Sequence, residues 1–310
     1  MRFVGLQTQV WKNNLKSVGL LVLFPVTIYI LVWLFFFFLQ DQQNYSIDNT
    51  NRYFVRFIPW ISLAVLCWFM IAYFFHTSMI RKATGTVPLE RSENKRVYNL
   101  VENLCISCGM KMPRINLIED DSLNAYASGI NSSSFTLSLS RGIISKLNDE
   151  ELEAVIAHEL THIRNRDVRL LIISIIFVGI FAFLTEAIFR SIRLSGGGRS
   201  KKDGGFILIA LVLAVIGYLL SSIFRFALSK KREYLADAGA AQMTKNPLAL
   251  ASALEKISLD SRIEAVSRKD VAQLFIDNPQ EKRNKALSAI AAIFSTHPPI
   301  EKRIQLLRQY

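Results

Sequence analysis

Residues 154–167 read AVIAHELTHIRNRD, and an H-E-x-x-H motif runs from His158 to His162 within them. Four residues make slightly more than one turn of an α-helix, so the two imidazoles project from the same face and can share a tetrahedral metal ion. Glu159 points to the side where a metal-bound water would lie, and it can accept a proton there. The motif therefore predicts a metal centre on a helix.

The residues around the motif predict the helix itself. Asn148 followed three residues later by Glu151 is typical of a helix N-terminus. One apolar stripe then follows the helical period: Leu152, Val155, Ile156, Leu160 and Ile163. The alternative is an ordinary amphipathic helix that presents two histidines one turn apart. With only four histidines in the chain, the full motif would arise by chance in roughly one of 400 such sequences, which favours the metal centre.

A catalytic zinc needs a third protein ligand and one open position for water. No histidine follows the motif closely, so we expect a carboxylate from another helix. Residues 230–238 read KKREYLADA, in which Glu233 and Asp237 lie one turn apart. One of them can bind the metal while the other orients a ligand imidazole. Taken alone, Glu233 beside lysine and arginine would rather indicate a solvated helix face.

Apolar stretches indicate a membrane protein. The chain has 310 residues, of which 51% are hydrophobic, and this excludes a disordered chain, a coiled coil and a fibrous repeat. Residues 18–39 and 57–75 are free of charge, and about 20 apolar residues suffice to cross a bilayer as a helix. The first stretch is too long for a signal peptide and no small-x-small cleavage site follows it.

Two further apolar stretches, 170–189 and 206–224, are separated by a basic, glycine-rich loop. If they cross the membrane, residues 193–204 lie outside, against the positive-inside rule. They either span the bilayer despite these charges or lie partly in its interface.

The formal net charge of +12 is interpreted as membrane topology. Basic residues before residue 18 and after residue 75 place both ends of the first hairpin in the cytoplasm. A nucleic-acid surface would need basic residues interleaved with aromatic ones in a soluble segment, and none is found, so no nucleic-acid partner is expected. If His158 and Glu233 bind one ion, the chain between them crosses the membrane an even number of times, which places the site on the cytoplasmic side.

The remaining sequence predicts a helical domain with a small antiparallel sheet. Residues 114–119, 124–128 and 134–140 have the pattern of short strands. Cys105 and Cys108 form a C-x-x-C pair, but they lie on the apolar face of a predicted helix, where packing is the usual role of cysteine.

The sequence also resembles a known family. The stretch around His158, followed by SKKREYLADAGAA at 229–241, resembles the HtpX-type membrane-bound zinc metalloproteases, gluzincins related to the CAAX prenyl proteases. The similarity extends to NAYA at 124–127 and to THPP at 296–299 with Arg303, and it covers most of the chain from about residue 80. It implies an α+β fold: a mainly helical zincin-like domain with a small antiparallel sheet and two to four transmembrane helices.

The resemblance implies roles for the residues that match. His158, His162 and Glu233 would bind one Zn²⁺ per chain, and Glu159 would act as general base and acid. Asp237 would support a ligand histidine, and Asp167 would support the helix.

For substrate, the resemblance implies an edge strand that carries Asn124, Ala125 and Tyr126, where Tyr126 stands in place of the family's frequent phenylalanine. His297 would lie near the developing oxyanion, and a structural His-Pro-Pro turn is the alternative for this residue.

Four segments are expected. Residues 1–76 would form an N-terminal membrane hairpin and 77–168 the first part of the metalloprotease domain. Residues 169–228 would form the second hydrophobic hairpin, and 229–310 would complete the domain with the third ligand.

The expected function is that of a zinc endopeptidase of the bacterial inner membrane, active on the cytoplasmic side. Its expected partners are the bilayer and damaged or misfolded membrane proteins, together with quality-control proteins of the stress response. Three alternatives stay open: an intramembrane protease of the site-2 kind, a CAAX-type prenyl protease, and a membrane scaffold without turnover. The charged residues around the motif argue against the first, since such a helix belongs in water.

Overall fold

A computed structural model describes residues 6–40, 46–194, 201–226, 231–260, 275–276 and 298–309 of the chain. Two units can be distinguished in it. One comprises Met1–Leu15, His76–Ile172 and Phe226–Tyr310, and the other comprises Lys16–Phe75 and Ile173–Arg225.

The helices in chain order are α1 (Leu6–Phe38), α2 (Ile47–Thr84), α3 (Lys95–Cys108), α4 (Arg141–Lys146), α5 (Asp149–Arg164), α6 (Asp167–Leu194), α7 (Lys201–Phe226), α8 (Lys231–Thr244), α9 (Pro247–Leu259) and α10 (Ile300–Leu307). The strands are β1 (Thr86–Pro88), β2 (Arg114–Ile118), β3 (Ala125–Ser128) and β4 (Thr136–Ser140).

Long apolar helices supply the membrane-spanning part. Within the described residues, three helical segments are long and apolar enough to cross a bilayer: Trp11–Phe38, Ile47–Thr84 and Asp167–Arg190. Ile207–Leu220 forms a shorter apolar helix. The prediction of two to four transmembrane helices is confirmed.

Aromatic and aliphatic side chains hold the second unit together. Phe24, Leu31 and Phe181 belong to one buried apolar cluster, and the Phe24 and Phe181 rings meet edge to face at 5.8 Å. Trp60 and Phe74 are instead exposed, at 69% and 65%. Large exposed apolar surfaces are typical of a protein that faces lipid.

The sheet of the first unit is mixed, which corrects the prediction of an antiparallel sheet. Its strand order is β1-β2-β4-β3, in which β2 and β4 run parallel and the other two pairs are antiparallel. The chain leaves β2, forms β3 without pairing to β2, and turns back so that β4 inserts between them. Two reversals give β4 the direction of β2, and β3 becomes an edge strand.

The three predicted strands lie within two residues of the observed ones. The sequence did not predict β1, because it has only three residues and ends in Pro88, which gives no alternating pattern. The predicted α+β class is confirmed.

A complete capping box begins α5. Asn148 Oδ1 accepts from the Glu151 amide at 2.9 Å, and Glu151 Oε2 accepts from the Asn148 amide at 3.0 Å. Glu151 also accepts from Ser252 and Lys256 of α9, each at 2.7 Å. Because one carboxylate caps α5 and binds α9, the start of the motif helix is fixed relative to its neighbour.

We expect Asn148→Ala to destabilise the protein by about 1 kcal/mol, because it removes the cap and leaves the Glu151 amide unpaired. The apparent melting temperature in detergent should fall by about 2–4 °C. Asn49→Ala, at an exposed asparagine of α2, is the control. An unchanged melting temperature for Asn148→Ala would contradict the role of the cap.

Candidate metal centre

The structure brings His158, His162 and Glu233 together. Their ligand atoms all lie within 4.8 Å of one another. The two Nε2 atoms are 3.2 Å apart, and the nearest Glu233 oxygens lie 3.6 Å from Nε2 of His158 and 3.7 Å from Nε2 of His162. Ligand atoms of a tetrahedral zinc site are separated by about 3.4 Å, given bonds of about 2.0–2.1 Å. The spacing and the donor set of two imidazoles and one carboxylate fit zinc.

Helix geometry explains this convergence. His158 and His162 lie one turn apart on α5, and α5 packs against α8, which carries Glu233. The helix α5 belongs to the unit that contains the sheet, and it is not among the helices that are long and apolar enough to cross a bilayer.

Each imidazole is oriented through its other nitrogen. His158 Nδ1 lies 3.0 Å from Asp237 Oδ1, and His162 Nδ1 lies 3.2 Å from Asp167 Oδ2. A carboxylate at Nδ1 turns Nε2 toward the metal position and fixes the tautomer that binds a metal. Both aspartates that the sequence singled out therefore contact a histidine of the motif, and Asp167 does so directly rather than through the helix.

Asn13, a residue that sequence reasoning missed, holds Asp167 in place. Its side-chain amide donates to Asp167 Oδ1 at 2.6 Å and to the Asn165 carbonyl at 2.9 Å. Asn13 is fully buried. A polar residue that is buried near the start of an apolar helix is the only local signal of this role, because its partners lie about 150 residues away in the chain.

Arg303 is the second missed residue. The sequence pointed to it only as part of a motif, without a role. It is 1% exposed, and it donates to both oxygens of Asp237, from Nε at 2.9 Å and from Nη2 at 2.7 Å. Nη2 also lies 3.4 Å from His158 Nε2. A buried arginine within the apolar face of α10 is a signal that could have indicated an internal partner.

The charge of Arg303 determines the ionisation of Asp237. Burial alone raises the pKa of this carboxyl, but the guanidinium of Arg303 and the hydrogen bonds from Arg303 and His158 lower that pKa to about 2. Asp237 is therefore a carboxylate at every physiological pH, and it can accept a proton of His158 as a hydrogen bond.

Glu159 lies beside the ligand cluster and is 2% exposed. Burial raises the pKa of its carboxyl, and Glu233 adds to this, while the two histidines and the Ala127 amide lower it; the net direction is upward. Among the described residues, no group hydrogen-bonds Glu159 Oε1. A buried carboxylate oxygen of this kind can accept a hydrogen bond from a water molecule.

The predicted substrate edge faces the same cluster. Asn124 is fully buried just before β3, and its Oδ1 accepts from the Ala125 amide at 3.0 Å. Tyr126 is buried and its hydroxyl bonds to Thr84 Oγ1 at 2.7 Å. The strand β3 packs against α5, and the backbone amide of Ala127 lowers the pKa of the Glu159 carboxyl. His297 lies outside the described residues.

Comparison with known proteins identifies relatives of this chain. The model of the family "Peptidase family M48" matches residues 91–310. A protein of Bacteroides fragilis named "Protease HtpX homolog" is 59% identical over 100% of both chains. A protein of Dictyoglomus turgidum with the same name is 36% identical, over 85% of this chain and 93% of its own. The solved structure of S. mikatae Ste24p is 19% identical with a TM-score of 0.43, over 96% of this chain and 66% of that chain.

We expect Asp237→Asn to weaken zinc binding about 10- to 100-fold, because the amide no longer stabilises the correct tautomer of His158. Competition with a chromophoric chelator measures this affinity in detergent. Asp121→Asn, at an exposed aspartate paired with Arg141, is the matched control. An affinity equal to that of the wild type would contradict the orienting role.

Zinc affinity should also rise with pH. Burial lowers the pKa of His162, but the carboxylates of Glu233 and Asp167 outweigh burial and raise that pKa to about 10 in the metal-free protein. Metal binding requires the neutral imidazole, so a proton has to leave whenever the pH lies below this value. We expect the zinc dissociation constant to fall about tenfold per pH unit between pH 6 and 8 for one released proton. An affinity independent of pH would contradict this.

Proposed function

The chain belongs to peptidase family M48 and is a membrane protease, and from this premise we propose that it is a zinc-dependent endopeptidase that hydrolyses damaged or misfolded membrane proteins. One zinc ion per chain would be held by His158, His162 and Glu233. The observation that carries the proposal is the convergence of these three ligand atoms within 4.8 Å, beside the buried carboxyl of Glu159.

When bound by His158, His162 and Glu233, zinc would supply Lewis acidity toward a peptide carbonyl and toward water. Glu159 accepts the proton of the attacking water and passes it to the leaving amine. Its raised pKa suits a group that has to accept a proton and then release it. Asp237 and Asp167 keep the two imidazoles in the ligand orientation throughout the cycle.

The substrate would bind in an extended form. An edge strand offers unpaired amide and carbonyl groups, and a peptide can bind there by main-chain pairing. In this role Asn124, Ala125 and Tyr126 line the path of the substrate next to Glu159. His297 would stabilise the oxyanion that forms at the scissile carbonyl.

The charges that flank the first hairpin and the order of the segments support a location and an orientation for the protein in the membrane. The protein would lie in the bacterial inner membrane with its active site in the cytoplasm, and the basic flanks of the first hairpin support this orientation. Residues 77–168 and 229–310 would form the protease domain, and the hairpins 1–76 and 169–228 would hold it at the bilayer. This setting gives the site access to membrane proteins that have lost their native packing, which is the expected role in the stress response.

Glu159→Gln tests the function. The variant should bind zinc like the wild type, because Glu159 is not a ligand, and it should cleave casein at a rate at least about 10²–10⁴-fold lower, because it cannot transfer the proton. The assay measures zinc content and casein cleavage on detergent-purified protein. Glu153→Gln, a half-buried glutamate of the same helix, is the matched control and should stay active.

Three outcomes would contradict the proposal. Equal cleavage by Glu159→Gln and the wild type would remove the assigned mechanism. Stoichiometric zinc without any hydrolysis would indicate the scaffold. Cleavage of a farnesylated CAAX peptide with no cleavage of casein would instead indicate a prenyl protease with the same chemistry.

A further inference from the structure

Two residues of the chain itself already lie on the free edge of β3. The Ile276 amide donates to the Ala125 carbonyl at 2.9 Å. The carbonyl of the adjacent Asn124 accepts from the amide of Ser140 in β4, so it points toward β4. Because successive peptide groups of a strand point to opposite sides, the Ala125 carbonyl points away from β4. Ile276 is therefore paired with the outer edge of the sheet.

This outer edge is the one that faces Glu159. The peptide groups of Ala125 and Ala127 point to the same side, since the residues are two positions apart in the strand. The strand β3 packs against α5, the helix that carries Glu159, and the backbone amide of Ala127 is among the groups that lower the pKa of the Glu159 carboxyl. Ile276 thus pairs with Ala125, two positions along β3 from Ala127, which is the residue of the strand that acts on Glu159.

The carbonyl of Ile276 contacts the metal centre through Arg303. Arg303 Nη1 donates to the Ile276 carbonyl at 3.3 Å, and Nη2 of the same side chain lies 3.4 Å from His158 Nε2. The backbone of Ile276 is therefore held between the edge strand and the arginine that borders the histidines. A bound peptide strand would make the same two kinds of contact. Its amide would donate to a carbonyl of β3, and its carbonyl would accept from Arg303.

Side-chain packing completes the contact. The Phe275 ring meets the Tyr126 ring edge to face, with centroids 4.9 Å apart and an interplanar angle of 68°. Phe275 is fully buried and Ile276 is 2% exposed. The surface at the edge therefore accepts an aromatic side chain followed by an aliphatic one.

We propose that this edge is a subsite for an extended peptide with two consecutive apolar residues, aromatic then aliphatic, and that Phe275 and Ile276 compete with substrate for it. The inference rests on the proposed function and names its substrate class. Segments of this kind are buried in folded proteins and become accessible when a protein unfolds, so the subsite selects unfolded chains. The competition keeps the cleft closed until a suitable segment displaces Ile276 from Ala125.

The test measures peptide binding without hydrolysis. The full-length Glu159→Gln protein in detergent is titrated against a fluorescein-labelled octapeptide with a central Phe-Ile, and fluorescence anisotropy gives the dissociation constant. Ile276→Pro in the same background removes the amide that bonds to Ala125, and Phe275→Ala removes the ring on Tyr126. If the chain's own segment occupies the edge about 90% of the time, each variant should bind the peptide about tenfold more tightly.

Controls separate this inference from a purely structural role. Leu259→Ala, at an exposed leucine of α9, should bind like the Glu159→Gln parent. An octapeptide with Asp-Lys in place of Phe-Ile should bind at least about tenfold more weakly to every variant. Zinc content and melting temperature are measured on each protein.

Unchanged or weaker peptide binding by both Ile276→Pro and Phe275→Ala would overturn the proposal, and a drop in melting temperature with this result would assign the two residues to the core. Equal binding of the two octapeptides would overturn the assigned specificity. Because the background variant is inactive by design, these results do not depend on hydrolysis, and a failure of the proposed function would show separately as a lack of casein cleavage by the wild type.

Discussion

A buried line of charge from Arg303 through Asp237 to His158 is the constraint on which the site depends. Its three members come from α10, α8 and α5, so two contacts that share Asp237 fix the relative position of three helices. A charge buried without its partner costs several kcal/mol of stability. Removal of Arg303 or Asp237 would therefore leave the other charge buried without its partner. The same line sets the direction in which the His158 imidazole points, and it keeps the carboxylate of Asp237 ionised. Packing and metal binding are thus parts of the same arrangement.

The sequence predicted those parts of the structure that depend on local period and spacing. The motif helix, the three strands and the apolar helices each have a repeat that is visible within about 20 residues. Glu233 and Asp237 could be selected because a carboxylate pair one turn apart is itself a local pattern. The parallel pairing of β2 with β4 was not predictable in this way, since strand order is decided by contacts between distant segments and leaves no trace in a single strand.

The residues that sequence reasoning missed act over long chain separations. Asn13 and Arg303 are single polar residues in otherwise apolar faces, and their partners cannot be identified from spacing. Phe275 and Ile276 are ordinary apolar residues, and only their contacts with Ala125 and Tyr126 distinguish them. The cluster of His158, His162 and Glu233 was therefore predictable, whereas the residues that bind its two supporting aspartates and that pair with β3 were not.

The hydrogen bonds of Asn13 link the first helix of the chain to the chemistry near its middle. This residue lies near the start of α1, yet its amide holds the aspartate beside His162. The first unit consequently comprises three separate pieces of chain, with long apolar segments between them in the sequence. In chain order Glu233 follows all the long apolar helices, so the cluster of His158, His162 and Glu233 is complete only after those helices have been synthesised.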